Sequence, residues 1–273
     1  MNKILIDKEF LNKQKCEPSK EFGFIPCSFR GFDGLELIIA GDVPKNFALG
    51  IVNCKNVIIK TFSYEKSIIE CISMNDSYNI EVQNVCFNEL NLEKGKNIIF
   101  NNCDFIQVQN EREETHRKNN DPFSWFLRIT NCEALFLHCH ISLMYGLCVE
   151  KFGTSVTFRY CDIDRGSFFA LFDYAECLIE RCDISKTIVP KIFFKPFYHV
   201  RDGKGKIELR DCILHGDDGW FESPYIKFVG QKFNDPKDEW SPTYFWKDEH
   251  LYEYYKNKLD ATKSYWDDHL HSL

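Results

Sequence analysis

Asn97-Ile98-Ile99-Phe100-Asn101-Asn102-Cys103-Asp104-Phe105 is one copy of a phrase that recurs along most of this 273-residue chain. Its order is apolar, x, apolar, x, x, Cys, x, apolar. Aligning further copies puts the two leading apolar positions at Leu35/Leu37, Val57/Ile59, Ile80/Val82, Ile98/Phe100, Ala134/Phe136, Val156/Phe158, Cys177/Ile179 and Ile207/Leu209. The sixth position is then Ala40, Phe62, Val85, Cys103, Cys139, Cys161, Cys182 and Cys212. The eighth is Asp42, Tyr64, Phe87, Phe105, Ile141, Ile163, Ile184 and Leu214, so only the first copy ends on a charge.

The copies recur at about 22 residues, with insertions in two of the intervals, and fixed self-similarity of this kind marks a solenoid. Alternation at the first and third positions is that of a half-buried strand. Two residues turn a corner, and the cysteine and eighth position form a second inward pair. A third apolar run follows in several copies, as in Phe126-Leu127-Arg128-Ile129, Gly146-Leu147-Cys148-Val149 and Phe168-Phe169-Ala170-Leu171. Three short strands per period predict an all-β chain folded as a right-handed parallel β-helix of about eight rungs.

Phrases such as Asn53-Cys54-Lys55-Asn56-Val57-Ile58-Ile59 and Ser155-Val156-Thr157-Phe158-Arg159-Tyr160-Cys161-Asp162-Ile163 resemble the pectate-lyase-like superfamily of β-helices over residues 35–215. The resemblance implies the fold; this architecture hosts unrelated functions. A leucine-rich repeat would need a further Leu three residues before the first apolar position. That slot holds Cys54, Ser77, Gly95, Asn131, Gly153, Tyr174 and Lys204.

The organisation expected is an N-terminal cap at 1–34, the β-helix at 35–215 with insertions at 107–123 and 186–206, and a C-terminal aromatic loop and helix at 216–273. Ile4, Ile6, Phe10 and Leu11 read as one face of a short capping helix, because the edge strand of a stack needs cover. Leu251, Tyr255, Leu259, Trp266 and Leu270 read as the apolar face of the C-terminal helix, packed on the solenoid.

The net charge of −7 argues against nucleic-acid or anionic-membrane partners, and no apolar run is long enough to span a bilayer. Thirteen cysteines, an odd number without an evident export signal, read as reduced thiols of a cytoplasmic protein. Five of them, Cys103, Cys139, Cys161, Cys182 and Cys212, should form one buried column. A Cys161→Ser change is expected to bury a hydroxyl with no assured acceptor.

The same register points the next residues outward: Asp104, His140, Asp162, Asp183 and Ile213. Two positions on, the face shows Ile106, Ser142, Asp164, Ser185 and His215, with Arg165 beside them. Rungs about 4.8 Å apart would stack Asp162 on Asp183, and like charges at that spacing repel by about 0.8 kcal/mol in water. The candidate ligand-binding residues are therefore Asp104, His140, Asp162, Asp164, Arg165, Asp183 and His215. A divalent cation such as calcium is the one cofactor such carboxylates would suit; zinc-type ligand spacing is absent.

Enzymes of the resembled superfamily use carboxylates on an outward sheet face against polysaccharides. Their pectin-hydrolase pattern runs Asn-Thr-Asp, Asp-Asp, a Gly-His-Gly-like turn and Arg-Ile-Lys. Here His215-Gly216-Asp217-Asp218 is fused into one turn and the rest is missing. The leading expectation is a non-catalytic binding or scaffold protein that presents a partly acidic face to a protein or glycan partner. The alternative is a carbohydrate-directed enzyme or binding module using Asp162, Asp164 and Asp183.

Overall fold

The computed structural model describes residues 2–20, 23–62, 66–106, 127–142, 147–150, 153–164, 169–171, 175–183, 198–200, 206–214, 226–229 and 233–234. All of them belong to one compact unit, Met1–Val108 with Trp125–Asp235. The expected insertion at 107–123 and the expected C-terminal helix lie outside the described residues, whereas the one at 186–206 contains a described strand, Tyr198–Val200, paired with Phe169–Leu171.

The described chain is a parallel β-helix. Its first ladder of parallel strands runs through residues 2–6, 33–39, 55–61, 78–83, 96–101, 133–137, 155–159, 176–180, 206–210 and 226–229. The eight expected inward pairs stand in register on it: Leu37, Ile59, Val82, Phe100, Phe136, Phe158, Ile179 and Leu209 are successive partners. The second ladder passes through residues 67–69, 85–87, 104–106, 140–142 and 162–164, ending in a bridge from Asp162 to Asp183. The third runs from residues 25–30 through 47–52, 71–75, 89–93, 127–130, 147–150 and 169–171 to 198–200.

Five turns, those entered at residues 55, 78, 96, 133 and 155, carry a strand on all three ladders. About five complete turns therefore replace the eight rungs expected. The end copies fall short for local reasons. After Ile39 the chain goes through Asp42, Val43 and Pro44 straight to the third ladder, and after Cys182 the described residues at this position are the bridge at Asp183 and a separate parallel pair, Ile213–Leu214 with Phe233–Asn234.

A second correction concerns the copy at Val57/Ile59. Phe62 was expected inside, yet it is 73% exposed, and Tyr64 lies outside the described residues. The inward positions are held by Ser67 and Ile69, which pair with Val85 and Phe87. The corner is five residues longer in this copy, so counting forward from Val57 lands on the corner and not on the strand.

A third concerns the N-terminus. Strand β1 (Asn2–Ile6) stacks on β3 (Asp33–Ile39), so Ile4 and Ile6 belong to the first ladder, and the helix α1 is confined to Lys8–Lys13. Asp7 caps it, its carboxylate accepting from the Phe10 N–H at 2.6 Å. Leu11 on α1 is buried, and Phe10 stacks at 6.4 Å on Phe29 of β2 (Ile25–Arg30), the end strand of the third ladder.

Single residues in the left-handed region make the corners. Between the first and second ladders these are Asn84, Asn102, His138, Tyr160, Arg181 and Asp211, all with φ between 51° and 56°. Asn tolerates this conformation because its short amide bonds locally, whereas bulky side chains do not. His138, Tyr160 and Arg181 need compensation. They find it in each other: the His138 and Tyr160 rings stack at 5.2 Å, and Arg181 donates to the Tyr160 hydroxyl at 2.7 Å.

Phenylalanines fill the middle of the stack. Phe100, Phe136 and Phe158 lie ring on ring with centroids 4.8 Å apart, and Phe87 meets Phe105 edge-on at 5.2 Å. The rung spacing itself sets this distance, since identical inward positions on paired strands are one strand separation apart.

Candidate functional site

The second ladder carries the exposed column. Behind it the five column cysteines are 1–3% exposed. Each thiol donates to a carbonyl one turn back: Cys103 to Val82 at 3.4 Å, Cys139 to Phe100 at 3.4 Å, Cys161 to Phe136 at 3.4 Å, Cys182 to Phe158 at 3.5 Å and Cys212 to Ile179 at 3.2 Å. These are the carbonyls of the last inward residue before the corner, where the chain leaves the sheet ladder. A small, weakly donating side chain suits that slot, which is why Cys recurs there.

The residues after the cysteines are locked by the same corner. The N–H groups of His140, Asp162 and Asp183 bond to the carbonyls of Cys103, Cys139 and Cys161, each at 3.0 Å. His140 pairs with Asp104 on one side and with Asp162 on the other, and Asp162 with Asp183. Asp104, His140, Asp162 and Asp183 therefore form one line along the stack, as the repeat predicts. Asp164 pairs through its backbone with Ser142 on the same strands. Arg165 and His215 lie outside the described residues.

The charges on this line are not equivalent. Asp104 is partly buried and accepts from the Lys66 ammonium at 2.6 Å. His140 and Asp183 are half-buried, whereas Asp162 is exposed. Among the described residues, no three His, Cys, Asp or Glu side chains gather into a metal-holding group. The neighbouring triplet His138-Cys139-His140 also diverges: His138 is at the exposed corner, Cys139 faces the core and His140 joins the column.

A second feature went unread in the sequence. Beside the first ladder lies a groove of about 400 Å³, lined by Gly34, Asn56, Ile58, Asn79, Glu81, Asn97 and Ile99 among others. One wall is an amide ladder: Asn56 donates to Asp33 at 2.7 Å, Asn79 to Asn56 at 3.1 Å and Asn97 to Asn79 at 3.0 Å. The half-buried side chains of Ile58 and Ile99 face it, with Glu81 between them in register. The signal was an Asn directly before the first apolar position in three successive copies. Lys66 was missed because nothing local relates it to Asp104, 38 residues away.

Farther along the first ladder an ion network lies at the surface. Glu180 accepts from Arg159 at 2.6 Å and from Arg210 at 3.3 Å, which holds its carboxyl below the ordinary range, chiefly through the Arg159 hydrogen bond. Arg210 also binds Glu208. This is a solvated strap between turns, and exposed pairs of this kind contribute little each.

No helix among the described residues is long and apolar enough to cross a membrane. No family model, no curated protein and no solved structure matches this chain.

Proposed function

We propose that this chain is a non-catalytic binding protein that presents the Asp104/His140/Asp162/Asp183 column to a positively charged segment of a protein partner. The observation that carries this reading is the Lys66–Asp104 contact, in which the column already holds an ammonium group at 2.6 Å. Asp162 and Asp183 repeat a carboxylate on the next strands along the line, with Asp162 exposed. Two acids about 4.8 Å apart, with a third beyond His140, suit a cationic partner lying along the stack, whereas acid–base catalysis needs groups converging on one bond. The free thiols of the described cysteines suit a reducing, intracellular setting. Kinship with the pectate-lyase-like β-helices is part of the same proposal and rests on the parallel three-ladder stack alone.

The groove supports a second reading, a glycan-binding module. Stacked amides, one carboxylate and an aliphatic wall are the groups that meet a neutral sugar's hydroxyls and C–H face.

Melting midpoints separate the two. Wild type and an Asp162→Asn/Asp183→Asn double variant are heated with oligolysine, with calcium, and with neutral and acidic oligosaccharides. The column reading expects oligolysine to raise the wild-type midpoint, less so at high salt, and to leave the variant unmoved. A shift by neutral sugar, equal in both proteins, favours the groove. No shift with oligolysine overturns the column reading.

A further inference from the structure

The N-terminal end of the stack presents two strand edges, and they are protected differently. Among the described residues, β1 pairs with β3 alone, and β2 with β4 (Phe47–Val52) alone. In an extended strand the N–H and C=O of one residue point to the same side, and successive residues alternate sides. The Ala40 N–H donates to the Ile6 carbonyl at 2.9 Å, so Ile4 and Ile6 face β3. Lys3 and Leu5 therefore turn their N–H and C=O groups to the open edge.

On β2 the Ile25 and Gly31 N–H groups donate to Asn46 and Val52, at 2.9 and 3.0 Å. Its open side thus belongs to Pro26, Ser28 and Arg30, and Pro26 has no N–H to offer, which blunts that edge. Strand β1 has no proline or glycine, and Lys3 is its one charged residue. Helix α1 leaves this edge uncovered: Leu11 packs into the core and Phe10 on Phe29, while Leu5 stays 44% exposed.

We propose that β1 of a second copy occupies this edge, running antiparallel across a twofold axis, so that the first ladder continues through a dimer. One register makes the edge self-complementary. With Ile4 opposite Ile4 of the second copy, Lys3 stands opposite the other Leu5, and Leu5 opposite the other Lys3. Both are hydrogen-bonded pairs of the antiparallel kind, so every N–H and C=O that Lys3 and Leu5 turn outward finds a partner.

Slipping by two residues loses this match. One direction sets Lys3 against Lys3, and like charges directly opposite are unfavourable. The other sets Lys3 against Asp7, whose carbonyl and carboxylate are already taken by α1. In the matched register Lys3 keeps Glu36 beside it on β3, and Leu5 packs between Ile38 and the stem of the second copy's Lys3. On the inner face the half-buried Ile4 meets its own counterpart. The two α1 helices fall at opposite ends of the shared pair, because each follows the C-terminal end of its β1. The proposal does not rest on the acidic column.

Sedimentation equilibrium of the full chain under reductant tests it, reading weight-average mass against concentration. Wild type should rise toward twice the mass of a single chain. Leu5→Lys sets like charges opposite each other in both pairs and should weaken association about tenfold. Adding Lys3→Glu to that variant restores opposite charges and should recover the dimer. Amide exchange supplies a readout that needs no variant. The Leu5 N–H should exchange more slowly as concentration rises, whereas the Ser28 N–H on the other edge should not change. A wild type that stays monomeric, a dimer indifferent to Leu5→Lys, or one that the charge swap fails to restore would overturn the proposal. So would a Leu5 amide that exchanges equally fast at every concentration.

Discussion

The thiol of Cys161 donates to the carbonyl oxygen of Phe136, 3.4 Å away on the preceding turn, and the backbone N–H of Cys161 faces the Cys182 sulfur at 3.4 Å on the following one. The cysteine is thus a link between turns as well as a filler. Cys161→Ala should cost about 1–2 kcal/mol, combining a lost sulfur contact with an orphaned carbonyl. Half-exposed Cys71→Ala should stay within about 0.5 kcal/mol. Urea denaturation of both variants checks the contrast. Cys161→Ser, expected from sequence to bury an unsatisfied hydroxyl, has an acceptor waiting. Ser77 shows the fit at the next corner, where its hydroxyl bonds Ile51 and Asn75 at 3.3 and 3.0 Å.

The buried thiols make the fold sensitive to base. Burial, then the neighbouring Cys212, pushes Cys177 up to about 12; burial pushes Cys132 up to about 11 and Cys103 well above its ordinary value of 9.0. A thiol raised in the folded state stays protonated while its unfolded counterpart ionises. Its stabilising share is complete below pH 9 and is lost as pH rises toward 11–12. Each such thiol adds a slope of about 1.4 kcal/mol per pH unit inside that window. The urea midpoint should therefore hold from pH 7 to 8.5 and fall steeply above 9, less steeply in Cys177→Val. A flat profile to pH 10.5 would count against the buried column.

Asn102 sits at a corner with φ 52°, its amide donating to Asn84 at 2.6 Å. Asn102→Ala should cost about 1–2 kcal/mol, because alanine meets the left-handed penalty and leaves the Asn84 oxygen without this donor. Asn102→Gly keeps the backbone freedom and should cost less than the alanine change. Thermal unfolding of the pair settles the order.

In the aromatic stack, Phe136 lies between Phe100 and Phe158 with both centroids at 4.8 Å. Removing the central ring leaves a cavity bounded by two others, so Phe136→Ala should cost about 3–5 kcal/mol in denaturant titrations. A loss under 1 kcal/mol would mean the stack is not the core.

How far the fold was legible follows from these residues. The register of Phe100, Phe136, Phe158 and Ile179 could be read because period-two alternation and the cysteine give two independent anchors per copy. Around Phe62 the reading failed: five extra corner residues shift the strand to Ser67–Ile69 without changing the overall period. Ile4 and Ile6 read as a helix face in the sequence because a five-residue strand leads directly into the charged α1. Of the candidate site, the line Asp104–His140–Asp162–Asp183 followed from the register alone. Its partner Lys66 did not, since contacts across 38 residues leave no local pattern. The amide ladder escaped because Asn before a strand ordinarily signals only a turn.

The register that buries the five cysteines is also what lines up the four exposed residues, so it is the claim on which the rest depends. Timed alkylation of the native protein, mapped cysteine by cysteine, tests it most directly. The prediction is that Cys103, Cys139, Cys161, Cys182 and Cys212 stay unlabelled until denaturant is added, while Cys16 and Cys71 react early. Rapid native labelling of the five would contradict the buried column and, with it, the placement of Asp162 beside Asp183.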